Sequence, residues 1–344
     1  MELLIIGNYG GKSLVSDGQT IKTRIVTSIF EEKYGINNVK KINTCGGAKR
    51  ILNLIYLIFR YGFITKRIIF LTDARGIWVI PFLVYLIKKI RLNRLWTAYL
   101  VVGGWIPYFL PKHTIIKFYL KNLDGIYAET STMCNKLKEL GLNNTLVLCN
   151  CKKLQILKDV EVNISINRPL KLVTFSRVMK EKGIEDAINV VKSINESVNK
   201  CVYELDIYGM VDPNQIEWFD SLKSNFPEYI TYKGIAPFDK SVEILKDYYL
   251  LLFPTRFFTE GIPGTIIDAY AAGLPVISAE WESFADVIEE GVTGYGFKFK
   301  DCGSLLNLLI KLSQDTSLVT NLKINCLRKA ENYTIESFLR QFDF

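Results

Sequence analysis

The chain has 344 residues, 49% of them apolar and 23% charged, with a formal net charge of +8; this is the balance of a globular soluble protein too long for one typical core. Seven cysteines without a CxxC pair and a single histidine, His113, argue for reduced cytosolic thiols and against a zinc site or a histidine-based triad. The longest apolar run, residues 77–87, is well short of the roughly 20 residues that span a bilayer, and it contains Pro81.

Residues 2–6 form the first expected strand, so no secretory signal is expected before it. It runs into Gly7-Asn8-Tyr9-Gly10-Gly11, and Asp17 is read as the N-cap of the first long helix. Further strands are expected near 38–43, 67–71, 97–102, 124–128 and 145–148, with helical spacing between them. Asp73 reads as another helix cap, with an acceptor contact as the alternative, and 101–105 ends a strand in Gly103-Gly104-Trp105. Cys149 and Cys151 read as structural. After a polar segment at 158–168 the alternation restarts, with strands near 170–175, 203–208, 229–232, 248–253, 275–278 and 295–299. A helix is expected over 304–331 and another over 334–342. Repeated βαβ crossovers of this kind give parallel, doubly wound sheets, so the fold class is α/β with two Rossmann-like domains facing a central cleft. The expected domains are 1–155 and 165–331, with a last helix at 332–344 packing back on the first.

Charge divides along the same line. Residues 1–150 carry 21 Lys and Arg against 8 Asp and Glu, and the remainder 22 against 27. The basic half is expected to meet something anionic. Lys49, Arg50, Arg60, Lys66 and Arg67 flank an apolar run at 51–59, and residues 85–96 interleave basic and apolar side chains. Such surfaces suit an anionic membrane leaflet.

The chemistry concentrates in the second half. The strand at 248–253 leads into FPTRFFTEGIPGTIIDAYAAG, a loop with Glu260, a Gly261-Ile262-Pro263-Gly264 turn, and a helix expected to carry Asp268 in its first turn. A helix N-terminus suits phosphate, and acids beside it suit neutral hydroxyls, so the segment reads as a sugar-nucleotide site. Arg177 and Lys182 stand at the junction after the strand at 170–175, where a pyrophosphate would sit. Tyr208-Gly209 and Gly234-Ile235 mark loops where backbone approaches a flat base closely.

The order S-R-x4-K-G, a strand ending in Gly209, Y-K-G, P-T-x4-E-G-x-P-G-x3-D-A-x-A-A-G-L-P-V-I and E-x2-G-x-T-G-Y resembles the donor domain of retaining glycosyltransferases of family 4, which have the GT-B fold. The resemblance covers residues 170–300 most strongly. It implies that Glu260 orients the donor sugar and that Asp268, standing where the family has a second glutamate, holds the ribose hydroxyls. It implies that Arg177 and Lys182 neutralise the diphosphate, helped by backbone amides of Gly264, Thr265 and Ile266. It implies front-face attack without an enzymic nucleophile, no metal and no cofactor. The expected partners are a nucleotide-sugar donor, UDP by family frequency, a lipid-linked saccharide acceptor and an anionic membrane surface, with no nucleic acid. Phe257, Phe258 and Ile262 are expected to choose the sugar. In the first half, Gly10, Gly11, Gly103, Gly104 and Trp105 form the expected acceptor-side loops, without the histidine that many relatives carry near Trp105. The implied setting is the cytoplasm, on the inner face of the cell membrane, in the synthesis of a surface polysaccharide such as capsule or O-antigen. A sugar-nucleotide epimerase and a basic nucleic-acid binder are the competing readings. A dinucleotide-linked dehydrogenase is disfavoured, because Gly7, Gly10 and Gly11 lack G-x-G-x-x-G spacing.

Overall fold

A computed structural model describes residues 1–11, 18–46, 51–162, 166–237 and 239–342. The chain divides into two compact units, Met1–Lys153 with Ile335–Phe344, and Leu154–Thr334. Each is built on six parallel strands.

In the first unit β1 (Leu3–Gly7), β2 (Val39–Asn43), β3 (Arg67–Leu71), β4 (Trp96–Leu100), β5 (Gly125–Ala128) and β6 (Thr145–Val147) lie in the order β2-β1-β3-β4-β5-β6. The central strands are buried on both faces, as in β1, and so read as continuous apolar runs. One face packs Ile51–Gly62, Ile80–Ile90 and Thr114–Lys121 on a core that includes Ile58, Phe70, Ile87 and Tyr99. The other face packs Gly18–Tyr34 and the late helix Ile335–Gln341, with Phe338 and Phe342 against Phe30. Asp73 precedes a short 3-10 turn at Gly76–Trp78, its Oδ1 accepting from the amides of Arg75 at 3.0 Å and Gly76 at 2.9 Å.

In the second unit β7 (Leu170–Phe175), β8 (Tyr203–Tyr208), β9 (Ile230–Gly234), β10 (Leu250–Phe253), β11 (Val276–Ala279) and β12 (Gly294–Phe297) lie in the order β12-β11-β10-β7-β8-β9. From β7 the chain builds one way to β8 and β9, then crosses over and builds the other way from β10. The order reverses between β7 and β10, and ligands of open α/β sheets sit outside the strand ends at such a reversal. The loops leaving β7 and β10 are those that carry Arg177, Lys182 and Glu260. In the first unit the corresponding reversal falls between β1 and β3.

All twelve expected strands are present, with ends shifted by a residue or two. The expected helix over 304–331 is instead three, Cys302–Gln314, Ser317–Thr320 and Lys323–Ala330. Asp315 ends the first: its backbone turns extended, and its Oδ1 accepts from the Ser317 amide at 3.1 Å and hydroxyl at 2.6 Å. Local bonding of this kind competes with helix propagation. Asp17, Lys49 and Arg50 lie outside the described residues. Among the described residues no helix is long and apolar enough to cross a membrane.

Candidate active site

The C-terminal edge of the second sheet is stitched together before any ligand is considered. Gly183 follows the β7 loop with φ +69°, and a Cβ built there would lie 1.8 Å from the Pro254 carbonyl oxygen at the exit of β10. Gly209, at the end of β8 with φ +138°, meets Ser176 O at 1.7 Å in the same sense. Only glycine fits at either contact. The Arg256 amide donates to Glu181 O at 2.8 Å, and the Arg256 guanidinium forks onto buried Asp186 at 2.8 and 2.5 Å. Gln215 takes the Lys180 amide at 2.8 Å and donates to Glu181 at 2.9 Å.

On this frame Lys182 and Glu260, 78 residues apart, form a direct ion pair, with side chains 18% and 16% exposed. Thr255, itself buried, donates its hydroxyl to Glu260 Oε1 at 3.0 Å. The Lys182 ammonium also stands 5.2 Å from the ring centroids of Phe253 and Phe257. It therefore sits between a carboxylate and two π-faces, which fixes a flexible side chain in place. Arg177 lies at the same loop and pairs with Asp212 at 3.4 Å. The Asp212 carboxyl is held below the usual range, first by the Asn214 amide at 3.0 Å and then by Arg177.

Glu260 is followed by the helix Gly264–Ala271, capped by Pro263. Among the described residues the amides of Gly264 and Thr265 have no intrachain acceptor. The Ile266 amide is different, because it donates to Pro263 O at 3.0 Å. Asp268 is misplaced by the sequence reading: it lies in the second turn of this helix, 4% exposed, since the first turn starts at Gly264. Ile262 is buried and Gly261 with it, whereas Phe257 and Phe258 are partly open, Phe258 leaning on Phe299. Tyr208 packs 5.5 Å from Phe175 and faces the Tyr248 hydroxyl at 3.5 Å. The Gly209 amide donates to Gly234 O at 2.8 Å, and Ile235 beyond it is exposed. Thr174 Oγ1, Thr265 Oγ1 and Trp281 Nε1 are buried with no hydrogen-bond partner among the described residues. Unpaired buried polar atoms of this kind are rare in folded proteins.

In the first unit, Gly10 takes a bond from Asn43 Nδ2 at 2.9 Å and donates to Asn8 at 2.9 Å, and Gly11 lies against Cys45. Gly103 and Gly104 turn the chain after β4, and the Trp105 indole closes on Val102 O at 3.0 Å. At the same strand ends is a buried ion pair that the sequence reading missed, Lys22 with Glu129; the Lys22 ammonium also donates to Val101 O at 2.8 Å. A signal was present: Lys22 falls in helical register with the buried Val26 and Ile29. Asp212, Thr255 and the Asp186–Arg256 pair were also missed, and nothing local singles them out.

Residues 169–315, within the second unit, match a family model described as Glycosyl transferases group 1. Among curated proteins, the chain is similar to the amylovoran biosynthesis glycosyltransferase AmsK of Erwinia amylovora, 23% identical over 177 residues, half of this chain and 43% of that protein. It is 24% identical over 155 residues to the putative colanic acid biosynthesis glycosyltransferase WcaL of Salmonella typhimurium, 42% of this chain and 36% of that one. The matches thus span less than half the length of these relatives. Among solved structures, Anabaena HepE in complex with UDP-glucose superposes with a TM-score of 0.75 at 13% identity, covering 99% of this chain and 98% of that one. Sucrose-phosphate synthase from Thermosynechococcus elongatus gives 0.76 at 13%, covering 99% and 96%. The fold is GT-B.

Proposed function

We propose that this protein is a retaining, metal-independent glycosyltransferase of family 4 in surface polysaccharide biosynthesis. It would move a hexosyl unit from a nucleotide sugar, UDP being the expected nucleotide, to a lipid-linked or oligosaccharide acceptor at the inner face of the cell membrane. The observation that carries the reading is the Lys182–Glu260 pair at the strand-order reversal of the second sheet, with Arg177 on the same loop and the unpaired amides of Gly264 and Thr265 four residues on. Cations and helix-start amides hold a diphosphate, and a carboxylate among them holds sugar hydroxyls. The names of the curated relatives and the UDP-glucose in the HepE complex support the same substrate class.

In this reading the bond from the sugar C1 to the diphosphate oxygen breaks, the acceptor oxygen bonds to C1 on the same face, and its proton passes to the leaving phosphate. Arg177 and Lys182 stabilise the charge that develops on the diphosphate, the kind of term that dominates such catalysis. Glu260 exchanges its Lys182 contact for a hydroxyl of the donor sugar while Thr255 keeps the carboxylate oriented. Asp268, shorter by a methylene than the family's glutamate, would reach the ribose from the second turn of its helix. Thermal-shift screening against UDP- and GDP-sugars tests the donor assignment. Stabilisation by UDP-sugars is expected, and no shift with any nucleotide sugar would refute it.

A further inference from the structure

We infer that the outer face of Ile51–Gly62, Ile80–Ile90 and Thr114–Lys121 in the first unit is a docking platform for an anionic lipid bilayer. The three helices form one layer on the sheet, packed side by side through contacts such as Gly62 on Ile87. Their outward positions are apolar where a solvated helix would be polar. Leu52 is 78% exposed and Ile115 68%, with Tyr56, Phe82, Ile90 and Phe118 also open. Rings bridge the last two helices, Phe82 to Tyr119 and Tyr85 to Phe118, each at 5.5 Å, so the apolar side chains form a continuous patch and not scattered singles.

The opposite face of the same sheet serves as an internal control. Gly18–Tyr34 exposes Arg24, Ser28, Glu32 and Lys33, as a water-facing helix does. The aromatic patch is therefore local to one layer.

Charge decides the occupant. Residues 51–123 contain eleven Lys and Arg and one acid, Asp73; of the cations, Lys88 is buried against Asp124, and Lys66 and Arg67 pair with Glu2, which leaves the others to set the sign of the surface. Two of the cations, Arg60 and Lys89, lie over tyrosines of this face, Tyr56 and Tyr85, at 5.9 and 5.6 Å. Apolar side chains that enter the acyl boundary, with long cationic side chains reaching up to phosphate, are the arrangement an anionic leaflet selects. A second copy of this face would set like charges against like. Nucleic acid would meet the cations but leave Leu52, Ile90 and Ile115 in water. The inference rests on the proposed lipid-linked acceptor, which this face would bring the protein to.

The test uses the full chain with vesicles of phosphatidylcholine alone or mixed with phosphatidylglycerol, separated by flotation. Binding to the anionic vesicles at low salt is expected, at least tenfold stronger than to neutral ones and weakened at high salt. Ile115→Ser/Phe118→Ser should lose about tenfold, and Lys89→Ala about five-fold, the factor corresponding to about 1 kcal/mol. Lys200→Ala, in the second unit, should bind normally. Equal binding to neutral and anionic vesicles, normal binding by Ile115→Ser/Phe118→Ser, or a self-association that these serines abolish in a chain that ignores vesicles would each overturn the inference. Thermal shift against the full set of UDP- and GDP-sugars is recorded on the same samples. A retained shift without vesicle binding overturns the docking face alone, and vesicle binding without a shift overturns the donor reading alone.

Discussion

Replacing Gly183 by alanine should damage the site through its backbone. The added Cβ would start 1.8 Å from Pro254 O, and real Cβ contacts begin near 3.0 Å, so the β7 and β10 loops must part by about 1.2 Å. The left-handed φ costs a further ~1–2 kcal/mol. Together these should destabilise by about 2–4 kcal/mol, or some 5–12 °C in melting temperature for a unit of this size. Lys182 is the adjoining residue and Glu260 its partner on the other loop, so the displacement falls directly on their pair. Misplacement by about 1 Å commonly costs on the order of 100-fold in turnover. Calorimetry and turnover of the nucleotide sugar found in the donor screen, on the same preparation, measure both. Gly141→Ala separates the two causes, since Gly141 shares the positive φ but has nothing within 4 Å of a built Cβ; it should lose only the conformational ~1–2 kcal/mol and keep full turnover. A Gly183→Ala protein with wild-type melting and wild-type turnover would refute the account of how the two loops are set.

Glu260→Ala should abolish transfer while the protein keeps its circular dichroism and cooperative melting; near-normal turnover would remove Glu260 from the site. Asp212→Asn should loosen Arg177 and raise KM for the donor about tenfold, a loss of roughly 1–2 kcal/mol for one charge-assisted bond. Because the Asp212 carboxyl is held low, its contribution is present at neutral pH and lost only as pH falls below about 4; an unchanged KM in the variant would contradict its positioning of Arg177. Lys323 is buried in Lys323–Ala330, and burial pushes its ammonium down to about 8. Between that value and the unfolded lysine's, the unfolded chain holds a proton the folded one does not, so the Lys323 contribution to stability climbs from about pH 8 to 10, against an opposing fall from thiols such as Cys151 and Cys326 that burial pushes up. Lys323→Met should erase that slope and add about 1–3 kcal/mol at pH 7; a variant less stable than wild type at pH 7 in urea melts would refute this.

Much of the fold was legible because parallel strands buried on both faces read as short apolar runs, as Leu3–Gly7 and Leu250–Phe253 do. The loop of Glu260 was legible for a related reason, since an apolar strand, a Gly-Pro turn and a helix start follow one another in sequence. What escaped were contacts made across the sheet edge. Lys182 meets Glu260 over 78 residues, Lys22 meets Glu129 over 107, and Asp186 meets Arg256 over 70; a single sequence carries no periodicity that pairs them. Asp268 was misplaced by a subtler cause. Its turn depends on where the helix begins, and the helix begins only at Gly264, after Pro263. Asp315 reversed the expectation of one long helix because a short carboxylate bonded to Ser317 outcompetes the next helical turn.

The helix Ile335–Gln341 has a consequence for how the molecule is made. It belongs to the first unit although the whole of the second is encoded before it. During synthesis at ~5–20 residues per second, the sheet of β1 to β6 exists for many seconds with Phe30, Trp96 and Tyr127 uncovered, until Phe338 and Phe342 arrive to cover them. The second unit, Leu154–Thr334, is continuous and can close as it emerges. The order of completion is thus the reverse of the order of translation, and the helix Ile335–Gln341 acts as the latch on the first unit.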